Sequence, residues 1–324
     1  MNLKKITVLG GGTGTFVVLS GLKKFHLDLA AIVTMMDSGG STGRLRDQLG
    51  VLPPGDIRQC LVALSEASEL WRKLFLYRFE TGDLEGHNFG NIFLSALEKV
   101  SSDYDEVMES VNYVLKTKGS VIPVTFNKSH VCARYESGKL IKGETNIDED
   151  NPEQSRIVEA FLEPYVEANE KAVERIKTTD YLIVGPGDLY TSIIPVLLVD
   201  DLKSKIKDSS AKIIYFMNLV TKTGQTTNYK ASDHLKDLTK YLGRSPDMVF
   251  VNNGAILPDV LEWYKSHGEN AVEDDLNSTN FSGTIIREDL IDKKQFTKPD
   301  TDKLVRSILR HDSAKLAHAL LKII

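Results

Sequence analysis

The segment LGGGTGTF, Leu9 to Phe16, follows the apolar run Ile6 to Leu9 and leads into the helical pattern FVVLSGLKKF. A strand that runs into glycines and then a helix leaves backbone N–H groups open to an anion. Glycine has no Cβ to block the approach and accepts positive φ. Gly10, Gly12 and Gly14 alternate with Gly11 and Thr13. Thr15 stands where the third glycine of a dinucleotide fingerprint would fall, and no Gly-Lys-Ser/Thr follows, so neither that fingerprint nor a Walker A loop is complete. The turn is read as a phosphate site, with a tight strand-to-helix turn as the alternative.

Short β-branched runs recur along the chain: KITVLG, LAAIVTM, VIPVTF, DYLIVGPG, KIIYFMN, PDMVFVNN and GTIIRED. Most are continuous apolar strands, as in a sheet covered on both faces, so the fold class is α/β with a mainly parallel sheet. A helical block is expected over about 56–118. In it Ile57, Cys60, Leu61 and Leu64 share one face behind Asp56 as N-cap, and Ile92, Phe93, Ala96, Leu97 and Val100 form a second face. An inserted β-hairpin is expected over about 128–150, where Val131, Ala133 and Tyr135 alternate before Ser137-Gly138. The last 24 or so residues read as one or two amphipathic helices, with Asp312 or Ser313 capping the second. No linker divides residues 1–324, which are expected to form one domain.

With 41% hydrophobic and 26% charged residues in 324, the composition excludes disorder as the main state. Cys60 and Cys132 lack zinc-type or CxxC spacing, so no disulfide framework is expected and a reducing cytoplasm is the natural location. A net charge of -5 without a basic block argues against nucleic acid as a partner. The longest apolar stretch, TSIIPVLLV, is too short for a membrane span, and the N-terminus lacks a signal-peptide core.

A second glycine loop follows the second strand, in DSGGSTGRLRDQLG. It presents Asp37, Ser38, Gly39, Gly40, Ser41 and Arg44. Two such loops on neighbouring parallel strands would line one crevice, where open α/β sheets bind ligands. Asp37 suits a ribose hydroxyl, a magnesium ion reached through water, or the loop's own amides. In PPGDIRQCL, Asp56 is placed at the helix start and Arg58 in an exposed first turn, where a cation opposes the helix dipole and invites an anion or a surface ion pair. Further polar residues follow other strands or open helices: His87, Asn88 and Asn91; Gly185 and Gly187; Asn218 and Thr221; Asn252 and Asn253. Amides and hydroxyls at these ends suit bases and sugars, although each alone also serves as a turn or cap. Arg310 is placed to clamp a phosphate, or His311 beside it to pair with Asp312. No nucleophile elbow, zinc helix or reactive cysteine is present, and of seven histidines only His87 lies in a glycine-rich loop.

The ordered motifs GGGTGT, DSGGSTGRLRDQLGVLPPGDIRQCL, GHNFGNIF, GPGDLYTSIIP, FMNLVTKTGQT and SDHL resemble the YvcK/CofD-like family over nearly the whole chain. The resemblance is stronger to the YvcK branch than to the phospholactate transferases. It implies a Rossmann-like three-layer fold and a ligand-binding regulator of cell shape, peptidoglycan synthesis and gluconeogenic growth. The implied ligand is a UDP-sugar such as UDP-N-acetylglucosamine, carried by Gly10, Gly11, Gly12, Gly14, Asp37, Gly39, Gly40, Arg44 and Arg310. Unidentified protein partners, and a homo-oligomer, belong to the same expectation. Where family members often have paired aspartates this chain has Asp37-Ser38, which argues against a tightly held magnesium. A magnesium-dependent transferase on a nucleotide-activated donor is the main alternative. A nicotinamide-dependent oxidoreductase and a tubulin-like GTPase follow.

Overall fold

The computed structural model describes residues 3–148, 155–293 and 308–324. Ten strands fall in chain order: β1 (Lys5–Gly10), β2 (Asp28–Val33), β3 (Ser120–Pro123), β4 (His130–Tyr135), β5 (Leu140–Lys142), β6 (Ile157–Glu163), β7 (Tyr181–Val184), β8 (Lys212–Phe216), β9 (Met248–Asn252) and β10 (Thr284–Glu288). Seven of them form one sheet in the order β10-β9-β8-β7-β1-β2-β3, with every neighbouring pair parallel. Side chains of a strand alternate between faces, yet Ile6, Thr7, Val8 and Leu9 are all fully buried, so both faces of β1 are covered. All seven apolar runs seen in the sequence are strands of this sheet. The α/β, Rossmann-like reading therefore describes the molecule.

The chain steps outward from β1 to β2 and β3, then returns to lay β7 on the other side of β1. The strand order reverses there, so the turns leaving β1 and β7 separate and open a crevice at the carboxyl ends of the strands. Register sets the two turns side by side, since Leu9 is paired with Val184 and Gly10 with Val33. Helix Gly12–Leu22 starts in the first turn and packs against helices Pro54–Leu64 and Ser313–Leu321. Asp312 caps the last of these, its Oδ1 accepting from the amides of Ala314 at 2.8 Å and Lys315 at 2.9 Å. The preceding residues 301–307 lie outside the described residues.

The helical block comprises helices Pro54–Leu64, Glu69–Leu76, Phe89–Val100 and Tyr104–Leu115. Two expectations within it are corrected. Asp56 is not the N-cap, because Pro53 caps the helix and Pro54 begins it. Proline's fixed φ and missing N–H suit the first position, so the helix starts three residues earlier and Asp56 lies inside its first turn. The face expected for Phe89–Val100 is also rotated. Leu94 is buried beside Asn91 and Ser95, whereas Val100 is 80% exposed. The buried stripe carries polar residues, which apolar periodicity alone could not register.

The expected hairpin is β4 with β5, and β6, which the sequence reading missed, pairs antiparallel with the other edge of β4. A short helix, Glu144–Asp148, leaves this small sheet with Ile147 fully buried beneath it. Residues 149 and 150 at the end of the expected hairpin lie outside the described residues. Cys60 and Cys132 are free and buried. Among the described residues no helix is long and apolar enough to cross a membrane.

A side chain at Gly14 would collide with the carbonyl of Pro186, in the turn after β7. Gly14→Ala is therefore expected to lower stability by about 1–3 kcal/mol, the usual range for overpacking. Urea unfolding compared with wild type measures the loss.

Candidate functional site

The crevice opens into a cleft walled by Gly11–Gly14 after β1 and Asp37, Gly39 and Ser41 after β2. The opposite wall comprises Gly187 and Asp188 after β7 and Asn218–Lys222 after β8. A third side comes from the helical block through Asp56, Arg58, Arg78 and Asn91. Glu144, Thr145 and Asp148 of helix Glu144–Asp148 also line the cleft, as do Trp263, Tyr264, Leu309, Arg310 and His311.

The glycines owe part of their necessity to packing. A Cβ at Gly11 would strike the Asp56 carboxylate and Thr34. The first loop is thus crossed by an acidic side chain as well as being open to the cleft. Asp37 folds back on its own turn, with Oδ1 accepting from the Gly39 amide at 2.9 Å.

Arg58 is buried rather than exposed in its first turn. Its Nε donates to Asn91 Oδ1 at 2.7 Å and one terminal nitrogen donates to the Phe75 carbonyl at 3.3 Å. Asn91 is fixed in turn by its amide donating to Asn88 Oδ1 at 3.2 Å. His87 and Asn88 support this wall from behind, His87 Nδ1 lying 3.2 Å from Ser41 Oγ, which accepts from the Asn88 amide at 3.2 Å. Burial, with Arg44 and Arg78 nearby, holds His87 below the usual imidazole range and favours its neutral form.

Carboxylates gather under the short helix. The Ser38 amide and hydroxyl donate to Glu144 Oε2 at 3.3 and 3.4 Å, and the Thr145 amide donates to Ser38 Oγ at 3.1 Å. Burial, then Asp37 and Asp148, raise the Glu144 carboxyl well above the usual carboxylate range. At its other end the helix meets the β8 wall, where Gln225 Nε2 donates to Asp148 Oδ1 at 2.8 Å and Lys222 Nζ lies 3.5 Å from the same oxygen. Asn218 Nδ2 donates to the Gly187 carbonyl at 2.8 Å, and Thr221 Oγ1 accepts from the Asn270 amide at 2.9 Å. At the aromatic end the Leu309 amide donates to Tyr264 Oη at 3.0 Å. Burial pushes the His311 imidazole down to about 4.

Of the residues proposed from the sequence, Gly11, Gly12, Thr13, Gly14, Asp37, Gly39, Ser41, Asp56, Arg58, Asn91, Gly187, Asn218, Thr221 and Arg310 line the cleft. Gly10, Ser38, Gly40, Arg44, His87, Asn88, Gly185 and Asn252 do not. Arg44 is exposed and donates to the Glu85 carbonyl at 3.1 Å. Asn252 holds its own turn, donating to the Gly254 carbonyl at 2.9 Å and accepting from the Leu290 amide at 3.0 Å. The sequence reading missed Arg78, Glu144, Asp148, Lys222, Trp263 and Glu269. Lys222 lies inside a motif already singled out, FMNLVTKTGQT, and its position after a strand was the available signal. Among the described residues no three acidic, histidine or cysteine side chains are placed to hold a metal ion, and Asp37 already accepts from its own loop.

The fold is α/β with a cleft at its strand reversal, and sequence comparison places it in a family. The chain belongs to the CofD family: the family model described as 2-phospho-L-lactate transferase CofD matches residues 6–291. It is 41% identical over 320 residues to a putative gluconeogenesis factor of Thermotoga maritima, covering 98% of this chain and 99% of the relative. Against the gluconeogenesis factor of Bacillus subtilis the identity is 35% over 324 residues, covering 99% and 98%. A crystal structure of a Bacillus halodurans protein matches with a TM-score of 0.88 at 33% identity, covering 99% of this chain and 100% of that one.

Glu144 binds its proton more tightly folded than unfolded, so its contribution to stability is full below the unfolded value near 4.5 and is lost as pH rises through the higher folded value. Glu144→Gln should therefore lose less stability than wild type as pH rises above 4.5. Urea midpoints collected from pH 4.5 to 8 for both proteins give the comparison, and parallel curves would remove Glu144 as the cause.

Proposed function

We propose that this chain is a cytoplasmic regulatory protein that binds a UDP-sugar, with UDP-N-acetylglucosamine the first candidate. Its biological role in this reading lies in cell shape, peptidoglycan synthesis and growth on gluconeogenic carbon. The observation that carries the reading is the cleft itself. Backbone turns after β1 and β7, with Arg58, Arg78, Lys222 and Arg310 around them, suit a diphosphate. The amides and hydroxyls of Asn218, Thr221 and Thr191 suit sugar and base edges, and Trp263 offers an aromatic surface.

The two histidines at or behind the cleft supply no general acid. His87 is bonded behind the wall, and His311 is held neutral by burial, so neither is poised as a general acid near neutral pH. A transferase acting on a nucleotide-activated donor is the second reading, and the description of the matching family model favours it. In that reaction the arginines would orient the diphosphate and offset charge developing on it.

Titration of the purified protein with UDP-N-acetylglucosamine, UDP-glucose, NAD and GTP, with and without magnesium, tests both readings. A ligand at a hundredfold excess over its dissociation constant adds about 2.7 kcal/mol of stability. A UDP-sugar that stabilises the protein and is recovered intact is the expected result. Consumption of the donor would support the transferase, and stabilisation by NAD or GTP alone would overturn the UDP-sugar reading. Arg310→Ala should weaken UDP-sugar binding at least about tenfold. Arg44→Ala should leave it unchanged.

A further inference from the structure

Lys222 sits in the β8 wall of the cleft with three carboxylates around it. Its Nζ lies 3.5 Å from Asp148 Oδ1 and 4.0 Å from Glu269 Oε1. Burial would lower its pKa, but Asp188, Asp148 and Glu269 together raise it, so the ammonium is charged. Lys222 and all three acids line the cleft. Glu269 is bound to the wall, its Oε1 accepting from the Thr223 amide at 3.4 Å, and Asp188 follows β7. Asp148 differs in belonging to the short helix Glu144–Asp148, outside the main sheet. That helix is latched at both ends: Glu144 and Thr145 bond Ser38 beyond β2, while Asp148 bonds Gln225 and pairs with Lys222 beyond β8. One carboxylate therefore occupies the partner position that an incoming anion would need.

We propose that Lys222 is a receptor for the ligand's phosphate and that Asp148 is its internal substitute, so that binding exchanges carboxylate for phosphate and loosens the Asp148 end of the latch. The proposal rests on the nucleotide-diphosphate reading above and adds the route by which occupancy changes the outer surface. A phosphate arriving at this ammonium meets like-charge repulsion from the carboxylates already around it, of which Asp148 lies nearer than Glu269 and belongs to a separate short helix. The ligand and Asp148 thus compete. Occupancy biases the Glu144–Asp148 segment, and release of Asp148 favours binding. Ile147 stays packed in the core, so the change is local to the latch.

The test is a double-mutant cycle on Asp148→Asn and Lys222→Gln, read by calorimetric titration with UDP-N-acetylglucosamine and separately with inorganic pyrophosphate. Asp148→Asn should tighten binding about fivefold, and Lys222→Gln should weaken it about tenfold. The gain from Asp148→Asn should vanish in the Lys222→Gln background. A gain that persists there would reduce Asp148 to a distant charge and overturn the exchange. So would weaker or unchanged binding in Asp148→Asn alone, which would make Asp148 a ligand contact or a bystander.

Amide hydrogen exchange on wild-type protein needs no variant. Exchange at 145–148 should quicken on binding, and slower or unchanged exchange would count against the latch. Binding of pyrophosphate with this pattern but not of the sugar nucleotide would sustain the exchange while overturning the UDP-sugar reading. Failure of both probes to bind either wild type or Asp148→Asn would overturn both.

Discussion

The cleft depends on one close approach, that of helix Gly12–Leu22 at Gly14 to the carbonyl of Pro186. Parallel register brings the ends of β1 and β7 level, and the reversal of strand order sends their connections apart. Any side chain at Gly14 would wedge the two turns open. With hydrogen alone in that position, the start of the helix and the turn after β7 can lie against one another, and Asp56 and Arg58 of the helical block line the same cleft. The long-range order of the site follows from that contact, since neither wall has a complete set of polar groups alone.

Concentrating charge in such a space has a physical cost, and the structure meets it by local bonding. Arg58 is held by Asn91 and the Phe75 carbonyl, and Lys222 by acids on three different segments. Glu144 is relieved by a raised affinity for its proton and by donors from Ser38. These arrangements make the cleft sensitive to the charge of whatever enters it, because each carboxylate there is already balanced against a neighbour. A group that brings phosphate and hydroxyls into the cleft changes several of these balances together.

Much of the architecture was legible in local sequence. The seven parallel strands announced themselves as β-branched runs, and the hairpin as alternation around Ser137-Gly138. A cap at Asp312 or Ser313 was legible from their position before an apolar repeat, and the structure decides for Asp312. The failures have a common origin. Arg58 reads as a surface cation until the Phe89–Val100 helix covers it, and that helix itself reads rotated because its buried side carries Asn91 and Ser95. Arg44 has the same local context as a phosphate ligand, yet the direction of its helix turns it outward to the Glu85 carbonyl. Helix Glu144–Asp148 has no local sign of function, since its acids look like a solvated exit from the hairpin.

The sequence by itself determined the α/β class, the seven strands of the main sheet, both glycine turns and the family to which the chain belongs, because these rest on periodicity, on backbone freedom and on ordered motifs. Only the tertiary structure decided which polar residues meet. Gly11 and Asp56, Ser38 and Glu144, and Asp148 and Lys222 are distant along the chain, and their meeting is set by strand order and by the packing of helix Glu144–Asp148 against the cleft. Local propensity has no term for such pairings. They arise because burying the apolar faces of sheet and helices leaves a single arrangement in which these polar groups can satisfy one another.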